Sequence, residues 1–455
     1  NSNQRGYWNA DYKNFAPRVS LAYKITDKLV FRSGYAIYNA TTAASTLAGT
    51  SDGFSTNTDW VSTVGGGGIL PANLVSNPFP QGINQPVGSS QGLLTEVGQS
   101  VNAFQRNHPT PYVESYSADF QYQVARNTIL EAGYTGTQGR KLLLGVSLNE
   151  NQLNPSYLSL GNALNNQVAN PFYNVITNGP LSGSTVPYWR LLVPYPQFQN
   201  VNLAGDTPGA SSSYNALLVK VSHRFTNSLT VLATYAWSKA LDDTSETQAW
   251  EVHDAIRDAY NLSGDKSISA HDLPQDFVGN AIWDIPVGKG KRFGGNMNRV
   301  GNAIVGGWQL SGVVRIGSGL PEQFRAPNDL GAYGFAVLRP NVTSMSDLTN
   351  INQTPDHWFN TAAVSAPAPY TIGSAPRWFG AVRMRGNRQA DLSLSKSWNL
   401  MERLRLQFRF ESYNTTNTPQ YGGADTTVGD AGFGRVTSTT NVGPRNLQLG
   451  ARLDF

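Results

Sequence analysis

The chain has 455 residues, 14% charged and 11% aromatic, with 45 glycines, no cysteine and a formal net charge of +4; soluble globular proteins are usually about 25% charged. Without cysteine there are no disulfides or thiolate metal sites, and without a Lys/Arg block no nucleic-acid partner is expected. Apolar runs of about five residues, such as LLLGV at 142–146, exclude a membrane-spanning helix, which needs about twenty.

A mean hydropathy of −0.33 leaves a transmembrane barrel open, since such a barrel is apolar only on alternate residues. The chain starts NSNQRGYWNADYKNFAPR, which has no basic, apolar and cleavable segments of an export signal. For an exported protein, either the signal has been removed or the chain starts partway through a longer one.

Period-two alternation and turn residues divide the chain into hairpins. The first pairs 16–25 with 29–38 across Thr26-Asp27-Lys28, with Val19, Leu21, Tyr23 and Ile25 on one face and Leu29, Phe31, Tyr35 and Ile37 together on the return strand. The second pairs 113–125 with 128–138, where Tyr116, Ala118, Phe120, Tyr122 and Val124 alternate with Ser117, Asp119, Gln121 and Gln123. The third pairs 213–225 with 229–239 across Thr226-Asn227-Ser228 and groups Leu229, Val231, Ala233, Tyr235 and Trp237. A fourth joins 275–286 to 307–318 through the Gly/Lys/Asn-rich stretch 287–306, with Phe277, Ala281, Trp283 and Ile285 facing Trp308, Leu310, Val314 and Ile316. The fifth pairs 388–398 with 403–413, where Leu404, Leu406, Phe408 and Phe410 alternate with arginines 403, 405 and 409. The terminal strand 445–455 places Leu447, Leu449, Ala451, Leu453 and Phe455 on one face and makes eleven.

A soluble sandwich also contains half-buried strands of this kind. Two features favour an all-β, antiparallel transmembrane β-barrel. The polar faces are densely charged, which suits an aqueous lumen. Turns of two to four residues also alternate with much longer connections at 39–112, 139–212, 240–274, 319–387 and 414–444, the pattern of short periplasmic turns and long outer loops. Soluble domains rarely carry several loops beyond about 15 residues. Eleven strands with a periplasmic C-terminus put the N-terminus on the outer side, whereas single-chain bacterial barrels have an even strand number. At least one upward strand is therefore expected before Asn1, and 1–455 reads as the C-terminal portion of a larger barrel domain.

The phrase SYNALLVKVSHRFTNSLTVLATYAWSKALDD (213–243) resembles a recurrent hairpin of TonB-dependent outer-membrane receptors, in the subgroup whose plug follows a carboxypeptidase-regulatory-like domain. DIPVGKGKRF (284–293), GGWQLSGVVRIGSGLP (306–321), NFAPRVSLAY (14–23) and the ending from Gly386 to Phe455 look like other barrel phrases of that subgroup. The resemblance implies a 22-stranded barrel filled by an N-terminal plug, and a short plug peptide pulled by an inner-membrane energy-transducing TonB-type protein. Eleven strands is half that count, and no plug or signal peptide is found in this sequence. The resemblance also implies that the terminal strand, with Leu447, Leu449, Leu453 and Phe455, is read by the barrel-assembly machinery.

No catalytic, cofactor or metal site is expected. The acidic loop 241–260, with Asp242, Asp243, Glu246, Glu251, Asp254, Asp258 and His253, has oxygen ligands but no EF-hand spacing and reads as a solvated outer loop. His271, Asp272 and Asp276 lack a placed nucleophile and read as structural. GGGG at 65–68 and GKGKRFGG at 288–295 do not match a phosphate-binding loop, and the five histidines show no zinc spacing. Tyr23, Tyr35, Tyr116, Tyr235, Trp237, Trp283, Trp308 and Trp398 suit aromatic girdles. Arg315, Arg405 and Arg409 are candidate lumen residues, facing a plug or an anionic solute. The leading expectation is the barrel portion of a receptor for energised uptake of an unidentified scarce solute, held in outer-membrane lipid. The alternative is a passive porin-like or adhesive barrel.

Overall fold

Alternation at period two puts one row of side chains on each face of an extended chain, and the segments that alternate form the long strands. The computed structural model describes residues 9–40, 52–64, 70–103, 105–144, 148–177, 179–203, 207–225, 228–244, 256–327, 329–440 and 443–455. The eleven long strands are β1 Arg18–Lys24, β2 Leu29–Asn39, β3 Tyr112–Ala125, β4 Thr128–Leu143, β5 Pro208–Phe225, β6 Leu229–Asp242, β7 Gln275–Asp284, β8 Trp308–Gly317, β9 Arg388–Met401, β10 Leu404–Tyr413 and β11 Asn446–Asp454. They pair antiparallel in chain order as one meander. A short strand, Ser267–Ile268, adds to the end of β6.

Strand boundaries differ from the sequence expectation mainly at the long-loop end. There β4 runs to Leu143 and β5 begins at Pro208, with register shifts on either side of Ala210. β7 stops at Asp284, because Pro286 has no N–H to continue the ladder. Within the broad connection that follows, helix α1, Arg299–Val305, forms where no helix was expected.

Register sorts every strand into two faces. The apolar face carries Val19, Phe31, Phe120, Tyr134, Leu217, Trp237, Phe277, Ile316, Leu394, Phe410 and Leu449. Many of these are exposed, Trp237 at 60% and Leu449 at 70% among them. So broad an exposed apolar surface marks a face that meets something other than water.

All eight aromatics singled out above share this face. Trp283, Trp308 and Trp398 lie toward the short-turn end, and Tyr35, Tyr116 and Trp237 toward the long-loop end. Trp237 is opposite Gln275, eight residues along β7 from Trp283. That is about 26 Å of strand, or about 20 Å of height at a tilt near 40°, close to the apolar band of an outer-membrane barrel. Gly136 makes room for one ring of the upper girdle, since a Cβ there would sit 2.4 Å from the Tyr116 ring.

The sheet does not close among the described residues. β1 and β11 each have a single neighbour, and every residue of β1 is exposed. Ten antiparallel steps separate β1 from β11, so they run in the same direction and their edges cannot pair antiparallel with each other.

The buried core lies in the connections beyond the strand ends. Phe324 packs edge-on against Phe359 and Phe379, with ring centroids 4.7 and 4.6 Å apart, in a cluster that includes Leu348, Trp358 and Val436. A second cluster joins Leu153, Leu164 and Trp189 to Leu330, Tyr333 and Leu338. Each draws on two separate connections, so the loops form a packed assembly. For the acidic loop 241–260 this corrects the expectation of a solvated outer loop, since Asp242, Ile256 and Asp258 are buried.

Candidate functional site

The polar face of the sheet carries a transverse band of opposed charges. Arg32 on β2 pairs with Asp119 on β3 at 2.8 Å and approaches Glu131 on β4 at 4.0 Å, and Glu131 meets Lys220 on β5 at 3.5 Å. These four groups line a concavity of about 450 Å³. Further round, Arg315 on β8 makes a fork onto Asp276 on β7, with bonds of 3.0 and 3.1 Å. Arg409 lies 3.4 Å from Glu411, and Arg405 donates to Ser397 at 3.0 Å. The three arginines singled out in the sequence therefore share the polar face but are not gathered at one point. Arg315 and Arg409 have carboxylate partners, and these half-exposed pairs are each worth about 1 kcal/mol or less.

Above the strand ends, two buried arginines and a half-buried one tie the loops to the sheet. Arg377 is 1% exposed. It donates through Nη2 to the carbonyl and carboxylate of Asp242 at the end of β6, and through Nε to the Asp265 carbonyl. Arg339 forms an ion pair with Asp265 at 2.8 Å whose N–H groups are poorly aligned for a hydrogen bond. Arg383 donates to the Asp272 carboxylate at 2.6 Å and to the Gly319 carbonyl at 3.1 Å.

These ties account for the acidic residues considered as sites. Asp242 holds Arg377, Asp243 accepts from Ser211, and Asp258 accepts from Gln152. Asp272 also accepts the Ala240 N–H at 2.6 Å, so it acts as a strut beside His271. Glu246, Glu251, His253, Asp254 and the GGGG run lie outside the described residues.

At the base of the loops the same ties shape a pocket of about 430 Å³, lined by Trp358, Arg383, Arg385, Arg388 and Tyr421 among others. Trp358 is fixed by its indole N–H donating to the Arg383 carbonyl at 2.8 Å and by an edge-on contact with Tyr421 at 6.2 Å. Arg385 lies over the Tyr421 ring at 4.8 Å. While Arg383 is consumed by its struts, Arg385 and Arg388 have no carboxylate partner among the described residues. Two such guanidinium groups beside aromatic rings, in a pocket of small-molecule size, have the chemistry to neutralise an anion. The run RMRGNR at 383–388 was the available signal. Period-two reading passed over it because it lies at a loop-to-strand junction.

Glu322 lies under this assembly at 5% exposure and accepts the Ala424 N–H at 3.0 Å. Burial raises its carboxyl from 4.5 to about 7, against the opposing effect of that hydrogen bond. Between these two values the folded state keeps a proton that the unfolded state has lost. Stability of the loops should therefore fall as pH rises from 4.5 to about 7, by at most about 3 kcal/mol. In Glu322→Gln this slope should vanish and the loops should be more stable at alkaline pH. Amide exchange of the segments around 322 and 424 on either side of neutrality checks this; equal slopes in both proteins would refute it.

A family model described as an outer membrane beta barrel domain matches residues 1–448. No curated relative matches the sequence. Among solved structures, the chain is similar to the outer membrane transporter YddB from Escherichia coli, with 7% identity and a TM-score of 0.44 over 96% of this chain and 40% of that one. It is similar to the ferripyoverdine receptor of Pseudomonas aeruginosa, with 11% identity and a TM-score of 0.39 over 97% and 33%. It is also similar to BauA, the ferric preacinetobactin receptor of Acinetobacter baumannii, with 11% identity and a TM-score of 0.39 over 97% and 36%. The chain thus spans between 33% and 40% of the length of these three structures.

Proposed function

Since the chain belongs to the outer membrane beta barrel domain family and so resides in the bacterial outer membrane, we propose that it is the barrel portion of a TonB-dependent receptor taking up a small anionic solute. The apolar face is then the lipid face, and the polar face with Arg315, Arg405 and Arg409 lines the lumen. Strands and a plug from sequence outside this chain complete a barrel of about 22 strands, as the sequence resemblance implies. The terminal strand, with Leu447, Leu449, Leu453 and Phe455, acts as the signal for the assembly machinery. Energy comes from the inner-membrane transducer acting on the plug, and no covalent chemistry takes place.

One observation carries this reading over a passive pore. The long loops are packed through buried aromatic clusters and arginine struts, and at their base they present a pocket with two cations that have no carboxylate partner among the described residues. An unselective channel gains nothing from an ordered charged site, and a selective one would conduct its solute without the energy transducer. Solute anion enters the loops, is held at Arg385 against Trp358 and Tyr421, with Arg388 on the outward side of the same pocket opposite Ile316, and waits there for the plug to move.

The full-length receptor in liposomes should give no swelling with small neutral sugars, and it should bind members of a panel of carboxylates and phosphate esters. Arg385→Ala with Arg388→Ala should weaken that binding at least tenfold, because each charge-assisted hydrogen bond contributes about 1.5–3 kcal/mol. Uptake should stop in cells lacking the energy transducer. Sugar-driven swelling, with anion binding indifferent to both arginines, would favour the passive pore.

A further inference from the structure

The connection between β7 and β8, residues 285–307, holds Lys289, Lys291, Arg292 and Arg299 and no acidic residue. All four are exposed, and among the described residues none of them forms an ion pair. The segment is built rather than loose. Asn298 caps helix α1 by accepting the Gly301 N–H at 2.7 Å, and the Asn302 side chain accepts the Lys289 N–H at 2.8 Å. The basic turn and the helix are thereby one unit. Gly288 is required for this approach, with φ +128° and a Cβ that would fall 2.6 Å from the Asn302 oxygen.

The unit hangs on the apolar side of the sheet. Trp308, Lys396 and Trp398 are all apolar-face residues by register. Trp308 Nε1 donates to the Ile304 carbonyl at 2.8 Å, and Trp398 Nε1 and Lys396 Nζ both donate to the Ala303 carbonyl at 2.7 Å. The carbonyls that a helix leaves unpaired at its C-terminus are thus taken by three donors from the outer face. Lys396, only 4% exposed, lies between the Trp308 and Trp398 rings, so its charge is covered where an uncovered one would face lipid. Helix α1 presents Val300 and Ile304, one turn apart and 70% and 64% exposed, and Phe293 of the same connection and Met401 on the next turn are also exposed.

We propose that residues 285–307 form an interfacial anchor that lies in the headgroup layer of the periplasmic leaflet and holds the phosphate of anionic phospholipid. The assignment of leaflet rests on the barrel reading above, with short turns on the periplasmic side. Two features identify lipid as the occupant. The apolar side chains of α1 are continuous with the lipid face, and the four cations beside them complement a phosphate layer, the composition of an interfacial amphipathic element. The nearest acids do not cancel that charge outwardly: Asp284 accepts from Gln309 on the polar face, and Glu402 belongs to the neighbouring turn.

The test uses the chain's lack of native cysteine. The full-length protein, with any cysteine outside this chain replaced by serine and carrying Ile304→Cys with a nitroxide label, is reconstituted into phosphatidylcholine vesicles with and without phosphatidylglycerol. The label should be shielded from a water-soluble relaxation agent and accessible to oxygen. Spin-labelled phosphatidylglycerol should be enriched over phosphatidylcholine in the protein's lipid shell by about threefold, a modest outcome for four basic residues near the surface. Combined Lys289→Gln, Lys291→Gln, Arg292→Gln and Arg299→Gln should bring the ratio to about one. Lys289→Gln with Lys291→Gln should give an intermediate ratio, because each basic residue near an anionic surface adds its own share of attraction. The pair also keeps the test decisive should the fourfold variant misfold. A water-exposed label at 304, or an enrichment indifferent to these substitutions, overturns the proposal. Neither readout involves solute binding or swelling, so failure of the receptor reading would be seen separately.

Discussion

Arg377→Met is expected to detach the loop assembly from the strand ends and to destabilise it by about 3–5 kcal/mol, the usual cost of removing one partner from a buried pair. The guanidinium holds the Asp242 carbonyl at 2.9 Å, the Asp242 carboxylate, and the Asp265 carbonyl at 3.0 Å. Asp242 is itself 7% exposed, so the substitution strands a buried carboxylate with its main partner gone. Arg435→Met is the control, because its pair with Asp356 is also close, at 3.0 Å, but is 53% and 72% exposed on its two sides. That change should cost about 0.5 kcal/mol or less. Limited proteolysis of the loops and their amide exchange would measure both. Similar behaviour of the two variants would show that burial does not govern these ties.

A second large effect distinguishes the two faces of the sheet with one pair of neighbours. Val314 faces the apolar side between Gly279 and Ala390, whereas Val313 faces the polar side between Asn280 and Asp391. Arginine at position 314 should cost about 2–4 kcal/mol, the value for a cation near the bilayer midplane on a lipid face. Arginine at 313 can lie beside Asp391 in the polar interior and should be close to neutral. Denaturant titration of folding into lipid vesicles would give both values, and equal costs would remove the case for a lipid face at this strand.

The strands were legible because their signal is local. In a strand such as β10, Leu404, Leu406, Phe408 and Phe410 alternate with polar neighbours, and the ladder simply carries that alternation to β9 and β11. The aromatics were readable for the same reason, since face membership follows from residue parity alone. Helix α1 escaped notice because its few residues, interrupted by Gly301 and followed by Gly306 and Gly307, show no helical period. Its stability comes from capping by Lys396, Trp308 and Trp398, about 90 residues away in two of the three cases. The pocket escaped for a related reason: Trp358, Arg385 and Tyr421 meet only because separate connections fold against each other.

The sequence by itself determined the all-β class, the strand order, which side chains share a face, and the contrast between short turns and long connections. All of these are written in spacing along the chain, and backbone geometry converts spacing into face. Only the tertiary structure decided that the long connections are a packed assembly, that Asp242, Asp265 and Asp272 are struts for buried or half-buried arginines, and that Arg385 and Arg388 have no carboxylate partner among the described residues. Those outcomes depend on partners more than a hundred residues apart, such as Arg377 with Asp242. No periodicity encodes such a pairing, and burial chooses it by leaving each charge a single place where it can be satisfied.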